Sequence, residues 1–194
     1  MDSDTANKLI EASKAFKEKW EKTDSDYFKN LNKGQSPPIL WIGCADSRVD
    51  PTEILNMPPG SIFVQRNVAN QVRPHDSDLM SVVEYAVIHL KVKTVVVCGH
   101  TNCGGINATA QCYGALEENL QKHLAPLKLD WESHDSENKG NPEDKLKMMY
   151  GKNAKIQVEN LMKLDYVKKA VEAKTLEVLP MLFHLDTGLL SLVE

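Results

Sequence analysis

Apolar residues in the first 32 positions recur at helical spacing: Leu9, Ala12, Phe16 and Trp20, then Tyr27, Phe28 and Leu31. Asp4 or Thr5 is placed to cap the first helix, and Thr23 or Asp24 the second. Gly34-Gln35-Ser36-Pro37-Pro38 then stops helix formation. An amphipathic arm this aromatic needs a surface to cover, either its own core or a partner subunit. Beyond it, Ile39-Leu40-Trp41-Ile42-Gly43-Cys44 is a continuous apolar run, the pattern of a strand buried on both faces. A second strand is expected over 61–64, a helix over 78–91 with Leu79, Val82, Val83, Ala86, Val87 and Leu90 inward, and a third buried strand over 94–98. Residues 131–144 are polar and read as a surface excursion, helical pattern resumes over 145–173, and a last strand over 176–183 turns back into a terminal hairpin or edge. Strand, helix and strand with apolar runs predict a single α/β domain. It has a central, mostly parallel sheet flanked by helices, with a helical arm over 1–34 and the core over 35–194.

Composition narrows the function. The 194 residues are 42% hydrophobic and 26% charged, enough to bury a core. A net charge of −4 with no basic stripe argues against nucleic acid as a partner. No apolar run approaches the ~20 residues of a membrane span. The N-terminal MDSDTANKLIEASK lacks the apolar core of a signal peptide and the arginines of a transit peptide, so the expected location is the cytoplasm. Only Arg48, Arg66 and Arg73 are arginine, and all three fall in one short stretch. Four cysteines, Cys44, Cys98, Cys103 and Cys112, are too few and too clustered for a disulfide-stapled domain.

Cys44 and the turn His100-Thr101-Asn102-Cys103 both sit just past the C-terminal ends of expected parallel strands, the edge where open α/β sheets bind ligands. Two thiolates and one imidazole suit zinc, and three protein ligands leave a fourth position open, as catalytic sites require. Asp46 and Arg48 follow Cys44 at +2 and +4; a guanidinium there holds the carboxylate ionised and oriented. Cys98 reads as a small core residue, and Cys112 has no spaced partner.

Cys44-Ala45-Asp46-Ser47-Arg48-Val49, with His100-x-x-Cys103-Gly104-Gly105, resembles the β-class carbonic anhydrases. So do Gln35-Ser36-Pro37, Phe63-Val64-x-Arg66-Asn67-Val68-Ala69-Asn70, Glu84-Tyr85-Ala86-Val87 and the weaker Val158-Glu159-Asn160-Leu161. The resemblance implies an enzyme that hydrates carbon dioxide to bicarbonate and a proton through hydroxide on one zinc ion per chain. By position Cys44, His100 and Cys103 hold the metal and Asp46 and Arg48 form the catalytic dyad. Gln35, Phe63, Val68, Tyr85 and Gly104 shape the substrate pocket, several of them from the partner subunit. It also implies a homo-oligomer, a dimer or dimer of dimers, in which N-terminal helices embrace the neighbour.

One departure stands out. Some members of the family hold bicarbonate off the zinc between a Trp, an Arg and a Tyr, and shut as the Asp moves onto the metal. The first two positions match Trp41 and Arg66, but the Tyr position falls at or beside Phe183, in Leu179-Pro180-Met181-Leu182-Phe183-His184. The expectation is an open site without cooperative inhibition. Rival readings are a zinc-stabilised binding module, a hydrolase of another heterocumulene such as carbon disulfide, and a thiol redox protein. The last is disfavoured because no C-x-x-C exists.

Overall fold

A computed structural model describes residues 3–194, and side-chain surroundings from residue 4 onward. The chain forms two compact units, Met1–Gln35 and Ser36–Glu194. The first unit holds α1 (Ser3–Glu21) and α2 (Tyr27–Leu31). Its aromatic residues pack on one another: Trp20 stacks on Tyr27 at 4.9 Å between ring centres, and Phe16 meets Phe28 at 5.9 Å. Leu9, Ile10 and Phe16 nonetheless remain exposed. Neither Thr23 nor Asp24 caps α2; the cap position is Asp26, whose N–H bonds the Asp24 carboxylate at 2.9 Å.

The second unit is built on five strands: β1 (Ile39–Cys44), β2 (Ile62–Asn67), β3 (Thr94–His100), β4 (Glu177–His184) and β5 (Leu189–Leu192). Their spatial order is β2-β1-β3-β4-β5; the first four run parallel, and β5 returns antiparallel to β4. The helices are α3 (Pro51–Ile54), α4 (Ser77–Glu84), α5 (Gly104–Cys112), α6 (Glu118–Glu137), α7 (Pro142–Met162) and α8 (Asp165–Glu172). A π-helical turn, Tyr85–Leu90, extends α4 and closes on left-handed Lys91. The chain steps from β1 to one side and then crosses to the other. The β1–β3 boundary is therefore a switch point, where such sheets open a crevice beyond their strand ends.

Alternation along the strands divides the core. Leu40, Ile42, Val95 and Val97 face the side on which Leu79, Val83, Leu161 and Val167 pack, and Trp41, Val96, Cys98 and Phe183 pack on the other. The strands outrun the apolar segments that announce them: β2 continues through Gln65, Arg66 and Asn67, and β3 through Gly99 and His100.

The stretch 131–144 is no surface excursion. Residues 131–137 are the last two turns of α6, and Pro142 opens α7 behind the cap Asn141, whose side chain accepts the Asp144 N–H at 2.9 Å. Its polarity belongs to the solvent face of a helix whose inner face keeps Leu127, Trp131 and a buried His134 at i, i+4, i+7 spacing. Among the described residues no helix is long and apolar enough to cross a membrane.

Candidate metal centre

Cys44 ends β1, and β3 runs beside it with Gly43 opposite Cys98, so His100 arrives at the same sheet edge. The turn Thr101–Asn102, with Asn102 at φ 54°, brings Cys103 back to the position that caps α5. The ligand atoms of Cys44, His100 and Cys103 all lie within 4.8 Å of one another, and all three residues are buried. Among the described residues this is the one such group of His, Cys, Asp and Glu. The two sulfurs are 3.9 Å apart; Zn–S bonds of about 2.3 Å at tetrahedral angles place sulfurs roughly 3.8 Å apart.

The histidine fits as well. His100 Nδ1 lies 3.0 Å from the Thr101 carbonyl oxygen. That oxygen can only accept, so Nδ1 carries the hydrogen and Nε2 is the free lone pair. Nε2 is buried with no hydrogen-bond partner, an orphan that a metal ion satisfies.

The two sulfurs lie within hydrogen-bond reach of each other. The hydrogen bond from Cys103 holds the Cys44 thiol well below its usual value, aided by the Ala69 N–H and against the effect of burial, while the Cys44 sulfur and burial push Cys103 up. Backbone N–H groups of Gly105 and Ile106, at the start of α5, work in the other direction on Cys103. A dication held here would require both sulfurs as thiolates, and their two charges would neutralise it.

Asp46 and Arg48 form the ion pair expected of them. Asp46 Oδ1 accepts Arg48 Nε at 2.9 Å and Oδ2 accepts Nη2 at 2.7 Å, a two-pronged pairing. Those bonds hold the Asp46 carboxyl well below the usual carboxylate range. Asp46 Oδ2 stands 3.8 Å from His100 Nε2, beside the ligand cluster. Arg48 also reaches the Asn102 carbonyl at 3.3 Å, tying the dyad to the ligand-bearing turn. Arg66 donates to the carbonyls of Cys44 at 2.8 Å and Asp46 at 2.5 Å, bracing the loop from β2. Arg73 pairs with Asp76.

The residues matched to a substrate pocket separate into groups. Val68 packs against the apolar cluster containing Cys44 and Cys103. A Cβ on Gly104 would meet nothing within 4 Å, so the space above it is open. Phe63 pairs with Leu40, four residues before Asn67 meets Cys44, or roughly 13 Å back along the strand at 3.3 Å per residue. Its ring lies 5.9 Å from that of Tyr85, which is 46% exposed. Within one chain, therefore, Phe63 and Tyr85 form a surface pair away from the metal ligands. Gln35 is exposed and belongs to the first unit. Cys98 and Cys112 lie outside the cluster.

Sequence reasoning missed the groups that hold the loop after β2. The Ala69 N–H donates to Cys44 Sγ at 3.4 Å, from a backbone at φ 62°, and His123 Nε2 bonds the Val68 carbonyl at 2.8 Å. The need for glycine at position 105 is steric: a Cβ there would stand 2.9 Å from Val68 Cγ1 and 3.0 Å from Ala69 Cβ. Asn70 and Asn102, both left-handed, carry the one local signal, since asparagine tolerates that conformation.

A buried set of two cysteines and a histidine at the switch point, with a carboxylate beside it, has the donors to hold a single metal ion. A family model described as carbonic anhydrase matches residues 39–190, and the chain belongs to that family. It is similar to a carbonic anhydrase of Emericella nidulans, 49% identical over 104 residues, a match covering 54% of this chain and 46% of that protein. The chain thus spans about half the length of that curated relative. It is also similar to one of two tetrameric β-carbonic anhydrases of Sordaria macrospora, at 34% identity and TM-score 0.91, covering 98% of each chain. A Coccomyxa β-carbonic anhydrase, solved with acetazolamide, superposes with TM-score 0.85 at 34% identity, covering 95% of this chain and 84% of that one.

Proposed function

We propose that this chain catalyses its family's reaction, the reversible hydration of carbon dioxide to bicarbonate and a proton, with one zinc ion held by Cys44, His100 and Cys103. The observation that carries this reading is the ionised Asp46 carboxylate, 3.8 Å from the unpartnered Nε2 of a buried cluster of two cysteines and one histidine. Bound there, zinc supplies the Lewis acidity that makes a water molecule a nucleophile near neutral pH.

The chain's own residues do the rest. Asp46 accepts a hydrogen bond from the attacking water and turns its lone pair toward the substrate. Because the Arg48 fork stabilises its charged form, Asp46 acts by orienting rather than by storing a proton. Arg66 keeps the Cys44 and Asp46 carbonyls in place, so ligand and carboxylate move as one piece. Val68 and the open space over Gly104 give apolar carbon dioxide a wall and room to approach.

We assign Gln35, Phe63 and Tyr85 to the pocket of a second copy, in a homo-oligomer. The pairing of half-buried Phe63 with exposed Tyr85, the separation of Phe63 from its own chain's ligands and the tetrameric Sordaria protein support this. Stopped-flow carbon dioxide hydration with metal analysis tests the whole reading. One zinc per chain and a rate rising between about pH 6 and 9 are expected. A fully zinc-loaded protein without acceleration over buffer overturns it.

A further inference from the structure

Helix α7 turns polar residues inward where a helix against a core would carry leucines. Asn153 and Gln157, one turn apart, are 0% and 1% exposed. Their polar atoms go to the backbone that follows β2. Asn153 Nδ2 donates to the Ala69 carbonyl at 3.0 Å, and Gln157 Oε1 accepts the Val72 N–H at 2.7 Å. Gln157 Nε2 donates to Asn153 Oδ1 at 3.1 Å, and Gln71 Nε2 bridges Asn153 Oδ1 and the Ala69 carbonyl at 2.9 and 2.8 Å. The segment is closed beneath by Asn67, whose side chain takes the Gln71 N–H at 2.7 Å and returns a bond to its carbonyl at 2.8 Å.

What this ladder holds is a backbone that an L-residue rarely adopts: Ala69 at φ 62° followed by Asn70 at φ 47°. Only with that turn in place does the Ala69 N–H meet Cys44 Sγ. We infer that Asn153 and Gln157 are positioning residues for the metal centre, fixing the Ala69–Asn70 turn so that its amide donates to the Cys44 thiolate. The inference rests on the reading of Cys44 as a metal ligand. An N–H bond to a thiolate withdraws charge from sulfur and orients its lone pairs, and such outer partners govern how tightly a ligand holds its ion. A polar stripe recruited merely to join α7 to the sheet would leave the Cys44 sulfur indifferent to its loss.

The test uses the full chain loaded with cobalt(II) in place of zinc. In Asn153→Leu, of similar volume, the thiolate-to-cobalt absorption band is expected to move to longer wavelength, because a sulfur without its amide gives up charge more readily. Zinc release to a chelator is expected to be on the order of tenfold faster. Gln157→Met, one bond further from Ala69, is expected to shift both readouts the same way by less, and it decides the matter if Asn153→Leu does not melt cooperatively. An unchanged band and release rate in a folded variant overturn the inference. A wild-type protein that takes up no cobalt overturns the metal reading of Cys44 instead.

Discussion

The Phe183 carbonyl accepts the Thr101 N–H at 3.0 Å, and Phe183 stands opposite His100 in the β3–β4 register with its ring buried. The site's neighbour on this side thus offers an apolar ring and no hydroxyl. Two of the Arg66 donors are committed to the carbonyls of Cys44 and Asp46. A bicarbonate held off the metal near Trp41 and Arg66 would lack one donor, at a cost of about 1–3 kcal/mol, roughly 5- to 150-fold in affinity. Hydration rates measured against added bicarbonate, at fixed pH and ionic strength, are expected to show no cooperative inhibition. Steep inhibition, abolished by Arg66→Ala with zinc retained, would show that Phe183 costs the protein nothing.

Cys44→Ser is expected to lose zinc and activity together, by well over the 10–100-fold typical of outer partners, since a hydroxyl is a poor ligand beside a thiolate. Metal analysis with a hydration assay checks it; full occupancy and normal turnover would remove Cys44 from the centre.

Asp46→Asn is expected to keep zinc while slowing hydration on the order of 10²-fold, as loss of an orienting group does. Arg48→Ala should slow it less, since Asp46 keeps its place beside His100 but loses its two-pronged partner. Wild-type rates in both variants would reduce the dyad to a surface ion pair.

The α3 start offers a stability test with a defined sign. Asp50 accepts the N–H groups of Thr52 and Glu53 and the Thr52 hydroxyl, which hold its carboxyl below its usual value. A depressed folded value stabilises above the unfolded one and fades as pH falls through the folded one. Asp50→Ala is therefore expected to cost about 1 kcal/mol at pH 7, a melting shift of about 2–4 °C, and the gap from wild type should narrow below about pH 4. A gap independent of pH would mean that the cap acts through its shape alone.

Deleting residues 1–32 removes exposed Leu9, Ile10 and Phe16 together with the aromatic cluster of the arm. Light scattering is expected to find a monomer or an aggregate in place of the assembly. A well-behaved dimer without the arm would deny it an assembly role.

The sheet and the ligands were legible in the sequence for one shared reason. Apolar runs at 39–44 and 94–98 demand burial on both faces, and parallel strands so buried must end together at an edge, where Cys44 and His100 stand. Residues 131–137 were not legible because their polar neighbours mask one inward turn, Trp131 and His134. Asn153 and Gln157 hid for the opposite reason. Polar residues on a helix suggest solvent, and nothing local records that a strand-end loop with an unspent carbonyl and an unspent amide lies beneath them. Phe63 and Tyr85 are assigned to a pocket only through resemblance, and the distance of Phe63 from Cys44 along β2 needs the register to be seen.

The four thiols sit in three unlike settings, and this makes the protein a counter of its own metal content. Cys98 is sealed in the sheet, bonded to the Gly99 carbonyl at 3.2 Å and pushed up to about 12 by burial, so it stays silent until the chain unfolds. Cys112 lies open to reagent. Cys44, whose thiol the Cys103 hydrogen bond holds down, is expected to answer only when nothing occupies the space between the two sulfurs. A thiol reagent added to the folded chain should therefore find one fast site when the centre is filled and a second, at Cys44, once a chelator has emptied it, because Cys103 is as buried as Cys98 and its thiol is likewise pushed up. The same preparation can thus be scored for occupancy by colour alone, and a single dye on Cys112 leaves the centre untouched.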